Sequence, residues 1–272
     1  MKGEAQDKQP ILLGAVDLGS NSFRVEIGRV EDYRITTESY WKETVRLAGG
    51  IDEHGAFTPE IQERALSALR RFREKLEGID PQNIRAVGTQ ALRVATNSAD
   101  FLPRAEEALG HPIEIIAGRE EARLVFSGCA HTLPPSSEKR LVVDIGGGTT
   151  GLAILKDGKV VQIEDEPTGG THLTLVLAGN FHVPFQEAEA IKQDYSRHKE
   201  ILPVVKAVVE KMASIVNRYI DKEHTDAIYL CGGTCCLTGI EKIFEKETGI
   251  RTIKPANPFL VTPAGIAMNC KI

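Results

Sequence analysis

The chain has 272 residues, of which 42% are hydrophobic and 26% are charged, and its formal net charge is −5. This length suits one large domain or two medium ones, with enough apolar residues for a sizeable core. The negative balance argues against non-specific binding to nucleic acid, but it leaves room for a phosphate group in a local pocket.

The sequence carries no recognisable targeting or membrane segment. The first ten residues are polar and lack the apolar core of a signal peptide, and no stretch is long and apolar enough to cross a membrane. The five cysteines form no CxxC pair, so we interpret them as buried free thiols of a reducing compartment. We therefore expect a disordered tail over residues 1–10 and a cytoplasmic protein with no membrane or nucleic-acid partner.

The first half of the chain predicts three hairpin-linked strands followed by alternating helices and strands. Apolar and β-branched runs place the three strands at 11–17, 23–30 and 33–45. A helix begins at Thr58 and Pro59, because threonine caps a helix and proline suits its first position, and Gly78 ends it. The remaining elements are a strand at 84–88, a helix at 98–109, a strand at 111–116 and a helix from 119 to about 129.

The same order starts again after a predicted linker over residues 132–139, which contains Pro134-Pro135-Ser136-Ser137. We predict strands at 141–144, 152–155, 160–165 and 227–231, with Asp157-Gly158 as a hairpin turn. We predict helices at 171–177, at 185–194, from Pro203, after Gly232-Gly233-Thr234 and at 264–269. Both halves thus follow the order β-β-β-α-β-α, whereas a dinucleotide-binding fold opens β-α-β, and the motif GxxxxGK(S/T) is absent from the sequence.

Two glycine-bearing turns, one in each half, each follow a predicted strand and carry an aspartate. The first is Asp17-Leu18-Gly19-Ser20-Asn21-Ser22, and the second is Asp144-Ile145-Gly146-Gly147-Gly148-Thr149-Thr150. Each offers a carboxylate, unobstructed backbone N–H groups and hydroxyls, which together suit phosphate oxygens and a divalent cation. One such turn alone is more often a simple hairpin. Two of them predict a duplicated nucleotide cleft in which the turns face each other.

This layout resembles the actin-like ATPase superfamily, in which two ribonuclease-H-like α/β lobes close on a nucleotide. Residues 11–140 resemble the exopolyphosphatase and guanosine pentaphosphate phosphohydrolase family through AVDLGSNSFR (15–24), VRLAGG (45–50), GTQALR (88–93) and GREEARL (118–124). Residues 141–272 resemble the ethanolamine-utilisation protein J family through DIGGGTTG (144–151), EPTGG (166–170), LVLAGN (175–180), GGT (232–234) and TPAGIA (262–267). The difference between the halves favours a chimera, natural or engineered, over an undescribed natural family. We expect two lobes with these bounds, with the last helix packing back on the first lobe.

The resemblance implies roles for individual residues. Asp17 would orient metal or attacking water, Glu121 would be the base that activates this water, and Asp17 and Asp144 would be the ligands of Mg²⁺. The implied phosphate-binding residues are Gly19, Ser20, Asn21, Ser22, Arg93, Gly146, Gly147, Gly148, Thr149 and Thr150. The implied nucleoside-binding residues are Gly169, Gly170, Gly232, Gly233 and Thr234. The alternatives are an Asx turn at Asp17, a solvated acid at Glu121, a surface side chain at Arg93 and plain turns at the glycine pairs.

One position departs from the phosphatase pattern. That family continues its second motif as Asp-x-Gly-Gly-Gly-Ser-Thr-Glu, and here Gly151 replaces the last glutamate. Loss of this carboxylate would weaken both the binding of a divalent metal and the neutralisation of charge on a transferred phosphoryl group.

The leading hypothesis is therefore a protein that binds Mg-nucleotide (ATP or ADP) between two lobes and has slow phosphohydrolase activity at most. A second hypothesis is an exopolyphosphatase or guanosine pentaphosphate phosphohydrolase, which would act on the phosphoric anhydride bonds of polyphosphate or nucleotide. A third is a non-enzymatic, chaperone-like or engineered hybrid scaffold, because the fold alone does not determine function. A homodimer is left open.

Overall fold

The computed structural model describes residues 10–31, 34–132, 138–156, 159–255 and 257–270. The strands are β1 (Ile11–Leu18), β2 (Phe23–Glu31), β3 (Arg34–Glu43), β4 (Ile84–Gly88), β5 (Ile113–Ile115), β6 (Arg140–Ile145), β7 (Thr150–Lys156), β8 (Lys159–Glu166), β9 (Ala227–Cys231) and β10 (Thr252–Ile253). The helices are α1 (Pro59–Lys75), α2 (Gln90–Val94), α3 (Ser98–Leu109), α4 (Gly118–Thr132), α5 (Gly170–Phe181), α6 (Phe185–Gln193), α7 (His198–Tyr219), α8 (Ile240–Thr248) and α9 (Val261–Ala267). The predicted Asp157-Gly158 turn, the tail before Pro10 and residues 133–137 of the predicted linker lie outside the described residues.

The strands form two five-stranded sheets with the same order, β3-β2-β1-β4-β5 and β8-β7-β6-β9-β10. In each sheet the first three strands are antiparallel neighbours, and the last two run parallel to the central strand. Each sheet therefore begins as the predicted meander and continues through helical crossovers, so the predicted repeat of architecture is confirmed. Neither α2 nor β10 was predicted, because elements of five and two residues are too short to show a period.

Alternate residues of a strand point to opposite faces of the sheet. Both faces of β1 are buried, because a hydrophobic core covers each of them. Val16 and Leu18 belong to the core that includes α1 and α3. Leu13 and Ala15 pack instead with residues of α4 and α9. Asp17 continues this second set, so its carboxylate lies on the face of the sheet that α4 and α9 cover.

The central strand of the second sheet, β6, repeats this arrangement. Val143 and Ile145 belong to the core that includes α5, α7 and α8. Val142 packs in a separate cluster with Val125 of α4 and Val261 of α9. Asp144 follows Val142 on this face, so the two aspartates lie on sheet faces that turn towards the same pair of helices.

Helices α4 and α9 cross between the two sheets at a pair of glycines. Helix α4 contacts β6, β7, β8 and β9, and α9 contacts β1, β2 and β4. A Cβ at Gly128 would lie 1.8 Å from the carbonyl oxygen of Val261, and one at Gly265 would lie 1.8 Å from that of Leu124. Only glycine allows two backbones to approach so closely. The last helix of the second half therefore packs on the first sheet.

The start of α7 differs from the prediction. The helix begins at His198, upstream of the predicted start at Pro203. A proline inside a helix leaves the carbonyl four residues earlier without its N–H partner, and that residue, Lys199, is exposed so that water can take the place of the donor. Burial of Ile201 and Val205 stabilises the first turns of the helix.

Two other helix starts also differ from the predictions. The glycine segment after β9 leads into a short 3₁₀ turn, Gly233–Cys236, and α8 begins only at Ile240. Leu237 leaves the helical conformation and ends the turn, and Gly239, with φ +91°, directly precedes α8. Helix α9 begins at Val261, upstream of the predicted start at residue 264.

The cysteines are free thiols, as predicted, but they are not all buried. Cys129, Cys231 and Cys235 are buried, whereas Cys236 and Cys270 are half-buried. Burial raises the pKa of the Cys235 thiol well above its usual range, which keeps it protonated. Among the described helices, none combines the length and the apolar character that a bilayer span requires.

Candidate active site

The two aspartate turns line one cleft of about 310 Å³. The residues of the first turn that line it are Asp17, Gly19, Ser20, Asn21 and Ser22, and those of the second are Asp144, Gly146, Gly147, Gly148 and Thr149. The two turns touch, because a Cβ built on Gly147 would lie only 2.6 Å from the Cβ of Asn21. The structure thus brings together the two segments that the sequence motifs predicted to face each other.

Several backbone N–H groups of these turns are available to a ligand. In the described part of the chain, the N–H groups of Gly19, Ser20, Gly147 and Gly148 donate to no other protein group. Successive backbone N–H groups in turns form concavities that bind anions. The cleft therefore offers hydrogen-bond donors for phosphate oxygens from both sheets.

Asp17 forms a buried ion pair with Arg24. Asp17 is 4% exposed, and Nη1 of Arg24 lies 3.3 Å from its Oδ2. The two residues are direct partners across β1 and β2, so the register of this hairpin creates the pair. Burial raises the pKa of Asp17, and Arg24 offsets only part of this rise. Arg24 was not among the predicted site residues, although its place opposite Asp17 in a short hairpin could have identified it.

Glu121, in the first turn of α4, lines the cleft together with Asp17 and Asp144. Its Oε2 accepts a hydrogen bond from Nη1 of Arg93 at 3.0 Å, and its side chain is 30% exposed. Burial raises the pKa of Glu121 to about 7, Arg93 opposes this rise, and the charges of Asp17 and Asp144 add to it. A carboxyl group that titrates near neutral pH is able to take a proton from water.

Arg93 lies behind Glu121 and is not one of the residues that line the cleft. Its Nη1 donates to the carbonyl oxygen of Ile116 at 2.7 Å as well as to Glu121. This geometry fixes the orientation of the Glu121 carboxylate. Direct contact of Arg93 with phosphate stays a prediction.

The glycine turn of the second sheet is held from behind by hydrogen bonds. The carbonyl oxygen of Gly146 accepts from Oγ1 of Thr234 at 2.8 Å and from the N–H of Gly170 at 3.0 Å. Nζ of Lys192 in turn donates to the carbonyl of Gly170 at 3.0 Å and to Glu189 at 2.7 Å. These groups support the turn through the protein's own hydrogen bonds.

Two further predicted nucleoside-binding glycines also support the cleft and do not line it. A Cβ at Gly169 would lie 2.7 Å from the carbonyl carbon of Gly148, and a Cβ at Gly232 would lie 2.2 Å from Oδ1 of Asp144. Gly232 also has φ +90°, a conformation that side chains disfavour. Both positions require glycine because another segment of the site approaches so closely.

The predicted ligand-binding residues therefore divide into two groups. Gly233 and Thr234 line the cleft, whereas Gly169, Gly170 and Gly232 do not. Thr150, a predicted phosphate-binding residue, is fully buried, and its hydroxyl donates to the carbonyl oxygen of Thr168 at 2.6 Å. The structure thus places this hydroxyl outside the cleft, because the residue already belongs to β7.

Gly151 is the direct partner of Asp144 across β6 and β7, and it lines the cleft. Partners of this kind project to the same face of a sheet. A glutamate at this position would therefore stand beside Asp144. The corresponding pair in the first sheet is Asp17 and Arg24, so Gly151 supplies no charge where the first sheet has a guanidinium.

Asp17 and Asp144 offer the hard oxygen donors that Mg²⁺ prefers. Within the described ranges, no group of three or more His, Cys, Asp and Glu side chains is arranged to hold a metal ion. Mg²⁺ is commonly held by one or two carboxylates together with water and substrate phosphates. The donor set therefore fits a cation that arrives with a phosphate ligand.

Comparison with known proteins identifies the family of this chain. A model of the Ppx/GppA phosphatase family matches residues 27–222. The guanosine-5'-triphosphate,3'-diphosphate pyrophosphatase of Vibrio cholerae is 46% identical over 143 residues, which is 53% of this chain and 29% of that protein. The Vibrio vulnificus protein of the same name is 48% identical over 143 residues. The matched segment thus spans less than a third of these relatives.

Solved structures show the same architecture along most of the chain. The ethanolamine utilization protein EutJ from Carboxydothermus hydrogenoformans is 31% identical with a TM-score of 0.73, and the match covers 96% of this chain and 90% of that one. The Ppx/GppA family member from Aquifex aeolicus is 24% identical with a TM-score of 0.57, covering 83% and 67% of the two chains. These neighbours confirm the predicted α/β fold of the actin-like ATPase type with two lobes.

A chimeric junction near residue 140 is not confirmed. The family match over residues 27–222 and the EutJ match over 96% of the chain both extend across this position. The family match also includes Arg93, Glu121 and Asp144. Because this match covers well over half of the sequence, the chain belongs to the Ppx/GppA phosphatase family.

Proposed function

We propose that the chain hydrolyses the terminal phosphoanhydride bond of a polyphosphate or of guanosine pentaphosphate. The observation that carries this proposal is Glu121, a carboxyl with a pKa of about 7 in the cleft that Asp17 and Asp144 also line. The family match and the pyrophosphatase names of the Vibrio relatives support this class of substrate. Because those relatives are much longer, the substrate is proposed for this chain and is not carried over from them.

In the proposed reaction, Glu121 takes a proton from a water molecule that attacks the terminal phosphorus in line with the bridging oxygen. The bond between this phosphorus and the bridging oxygen breaks, and the shortened phosphate chain leaves with that oxygen. Backbone N–H groups of Gly19, Ser20, Gly147 and Gly148 bind the non-bridging oxygens. Arg93 keeps the Glu121 carboxylate in the orientation that the proton transfer requires.

Asp17 and Asp144 are the residues that would hold Mg²⁺. The cation, when bound, supplies charge neutralisation to the phosphoryl oxygens. Burial raises the pKa of Asp17, and the Arg24 guanidinium at 3.3 Å helps to keep its carboxylate ionised. Asp17 is therefore prepared to meet both a cation and the attacking water.

We also propose that residues 11–140 and 141–272 act as two lobes whose meeting point is this cleft. Crossing of α4 and α9 joins the halves on one side, and the guanidinium of Arg46 lies 4.4 Å from the ring centroid of Phe185 on α6. A phosphate bound by both turns would favour the closed arrangement. A cytoplasmic location and a homodimer stay predictions.

The test is phosphate release from long-chain polyphosphate and from guanosine pentaphosphate in the presence of Mg²⁺. Glu121→Gln should lower the rate by about 100-fold or more, since general base catalysis contributes about that much. Glu120→Gln is the matched control, because Glu120 is the neighbouring acid and pairs with Arg123 at 2.8 Å. No release by the unmodified chain from either substrate, or equal rates in Glu121→Gln, would refute the proposal.

A second candidate is Mg-nucleotide binding with slow hydrolysis, and Gly151 favours it. Without a carboxylate beside Asp144, the cation would be held more weakly and turnover would fall, while the backbone N–H groups of both turns would still bind the phosphates. Calorimetry with Mg-ATP and Mg-ADP separates the cases: nucleotide binding without release from polyphosphate supports this candidate, and no binding at millimolar nucleotide excludes it. A scaffold that binds neither ligand would show no rise in its unfolding midpoint with Mg-nucleotide.

A further inference from the structure

Three charged residues form a row across the first sheet. Asp17 on β1 is the direct partner of Arg24 on β2, and Arg24 is the direct partner of Lys42 on β3. Direct partners on adjacent strands project to the same face, and all three residues line the cleft. Because neighbouring strands lie about 4.8 Å apart, the row extends roughly 10 Å from Asp17 to the edge strand β3.

Lys42 is the member of this row whose side chain has no hydrogen-bond or ion-pair partner in the described part of the chain. Arg24 is held by Asp17 at 3.3 Å, whereas the side chain of Lys42 makes no hydrogen bond or ion pair with any described residue. Lys42 is exposed to solvent. The walls of the cleft nevertheless desolvate the ammonium group, and this desolvation, followed by the like charge of Arg24, lowers the pKa of Lys42.

The opposite wall of the cleft does not supply the missing anion. Glu189 and Lys192 of α6 act on the pKa of Lys42 in opposite directions, so both lie within electrostatic range. The Glu189 carboxylate is already occupied, because it accepts hydrogen bonds from Lys192 at 2.7 Å, from Thr174 at 2.6 Å and from Gln193 at 2.8 Å. Positive charge therefore exceeds negative charge in the space beside Lys42.

We propose that Lys42, together with Arg24, binds a second phosphoryl group of the substrate, one that does not react. This inference rests on the proposed function, because it requires the reacting phosphoryl group to lie between Asp17 and Asp144. The group that binds is a phosphate, and it has two sources: an inner phosphate of a linear polyphosphate, or the 3′-diphosphate of a guanosine nucleotide. Lysine suits either source, because its ammonium acts as a point charge with three rotatable donors.

The position of Lys42 determines what it changes in the reaction. It is two strands away from Asp17 and does not reach the attacking water, so it contributes to the affinity for the substrate and not to the chemical step. Removing a contact made equally in the ground state and the transition state raises KM and leaves kcat unchanged. Ligands with a single phosphate group fill only the space between the turns and do not use Lys42.

The test is isothermal titration calorimetry in a Glu121→Gln background, in which the ligands are not consumed. Lys42→Gln is compared with Lys211→Gln, which removes the same charge from an exposed position on α7 outside the cleft. The ligands are orthophosphate, tripolyphosphate, and guanosine triphosphate with and without a 3′-diphosphate. Each titration is made at low and at high ionic strength, and the unfolding midpoint of each variant verifies its fold.

Lys42→Gln should weaken the binding of tripolyphosphate or of the 3′-diphosphate nucleotide about five- to tenfold at low salt, and the loss should shrink at high salt. The affinity for orthophosphate should stay within about twofold. Lys211→Gln should leave the affinity for every one of these ligands unchanged. A loss confined to tripolyphosphate identifies inner phosphates as the source, and a loss confined to the nucleotide identifies the 3′-diphosphate.

Two results would overturn the inference while leaving the proposed function intact. One is equal affinity of Lys42→Gln and the parent for every ligand, and the other is a loss of equal size for all ligands including orthophosphate. If the parent binds none of these ligands, the proposed function fails and this inference fails with it.

Discussion

Replacing Glu121 by glutamine should make the protein more stable at alkaline pH while it slows hydrolysis. Burial raises the pKa of Glu121 from 4.5 to about 7 in the folded state. A carboxyl whose folded pKa is raised contributes stability that is fully present below pH 4.5 and is lost as the pH rises through about 7. Above that window the folded chain carries a charge that its surroundings disfavour, and glutamine removes this charge while it keeps the side-chain shape.

The size of the effect follows from the shift of the pKa. Each pKa unit corresponds to about 1.36 kcal/mol, so the free energy of unfolding should rise by roughly 2–3 kcal/mol at pH 8 once solvent access to the 30% exposed side chain is considered. For a chain of this size that corresponds to a rise of roughly 5–10 °C in the unfolding midpoint. At pH 5 most of the difference should disappear, because that pH lies only about half a unit above the unfolded pKa.

The assay is thermal unfolding of both proteins at pH 5 and pH 8. The difference between the proteins is the quantity to measure, because burial also raises the pKa of Glu26 to about 7 and makes the stability of both depend on pH. Glu120→Gln is the control with the opposite sign, since hydrogen bonding to Arg123 lowers the pKa of Glu120 despite partial burial. A Glu121→Gln variant that is no more stable at pH 8, or equally stabilised at both pH values, would refute the reasoning.

Four further changes test other parts of the structure. Hydrolysis by the unmodified chain should rise with pH to a plateau and be half-maximal near pH 7, which a pH–rate profile checks; a rate that is already maximal at pH 5 would contradict Glu121 as the base. Gly151→Glu, beside Asp144, should increase Mg²⁺-dependent phosphate release by about tenfold or more, and an unchanged rate would show that the lost carboxylate does not limit turnover. Gly128→Ala should lower the free energy of unfolding in urea by about 2 kcal/mol or more, because its Cβ would meet a carbonyl oxygen at 1.8 Å, whereas Gly179→Ala on α5, where a Cβ meets nothing within 4 Å, should be neutral or stabilising. Thr234→Val should cost about 1 kcal/mol and weaken phosphate binding measured by calorimetry, since it removes the hydroxyl that holds the glycine turn at 2.8 Å; full affinity would show that the turn holds its shape without it.

Local chemistry explains why much of the fold could be predicted from the sequence. The hydroxyl of Thr58 accepts from the N–H of Ile61, and Pro59 occupies the first position of α1, as the sequence indicates. The predicted start of α7 at Pro203 is wrong because tertiary packing overrides a local preference. The sequence shows that proline disfavours a helix interior, but only the tertiary structure shows that burial of Ile201 extends α7 beyond it.

The candidate site also combines features that local sequence predicts with features that depend on tertiary structure. Glycines and polar side chains in one short segment identified the turns at Asp17 and Asp144, because such segments determine their own backbone conformation. The position of Arg24 opposite Asp17 depends on strand register, and that of Lys42 depends on a second register across the sheet. Composition and period reveal neither position; the register of a short hairpin could have identified Arg24, whereas Lys42 requires the second register as well.

By itself, the sequence determined the repeated meander, the two aspartate turns and the glycines that make close approach possible, since each is a property of a few consecutive residues. Only the tertiary structure decided that Glu121 lies in one cleft with both aspartates, that Arg93 lies behind it and that the Thr150 hydroxyl is buried. The physical reason is that these relations join residues far apart in the chain. They depend on how α4 and α9 cross between the two sheets, and that crossing is a result of packing over the whole molecule.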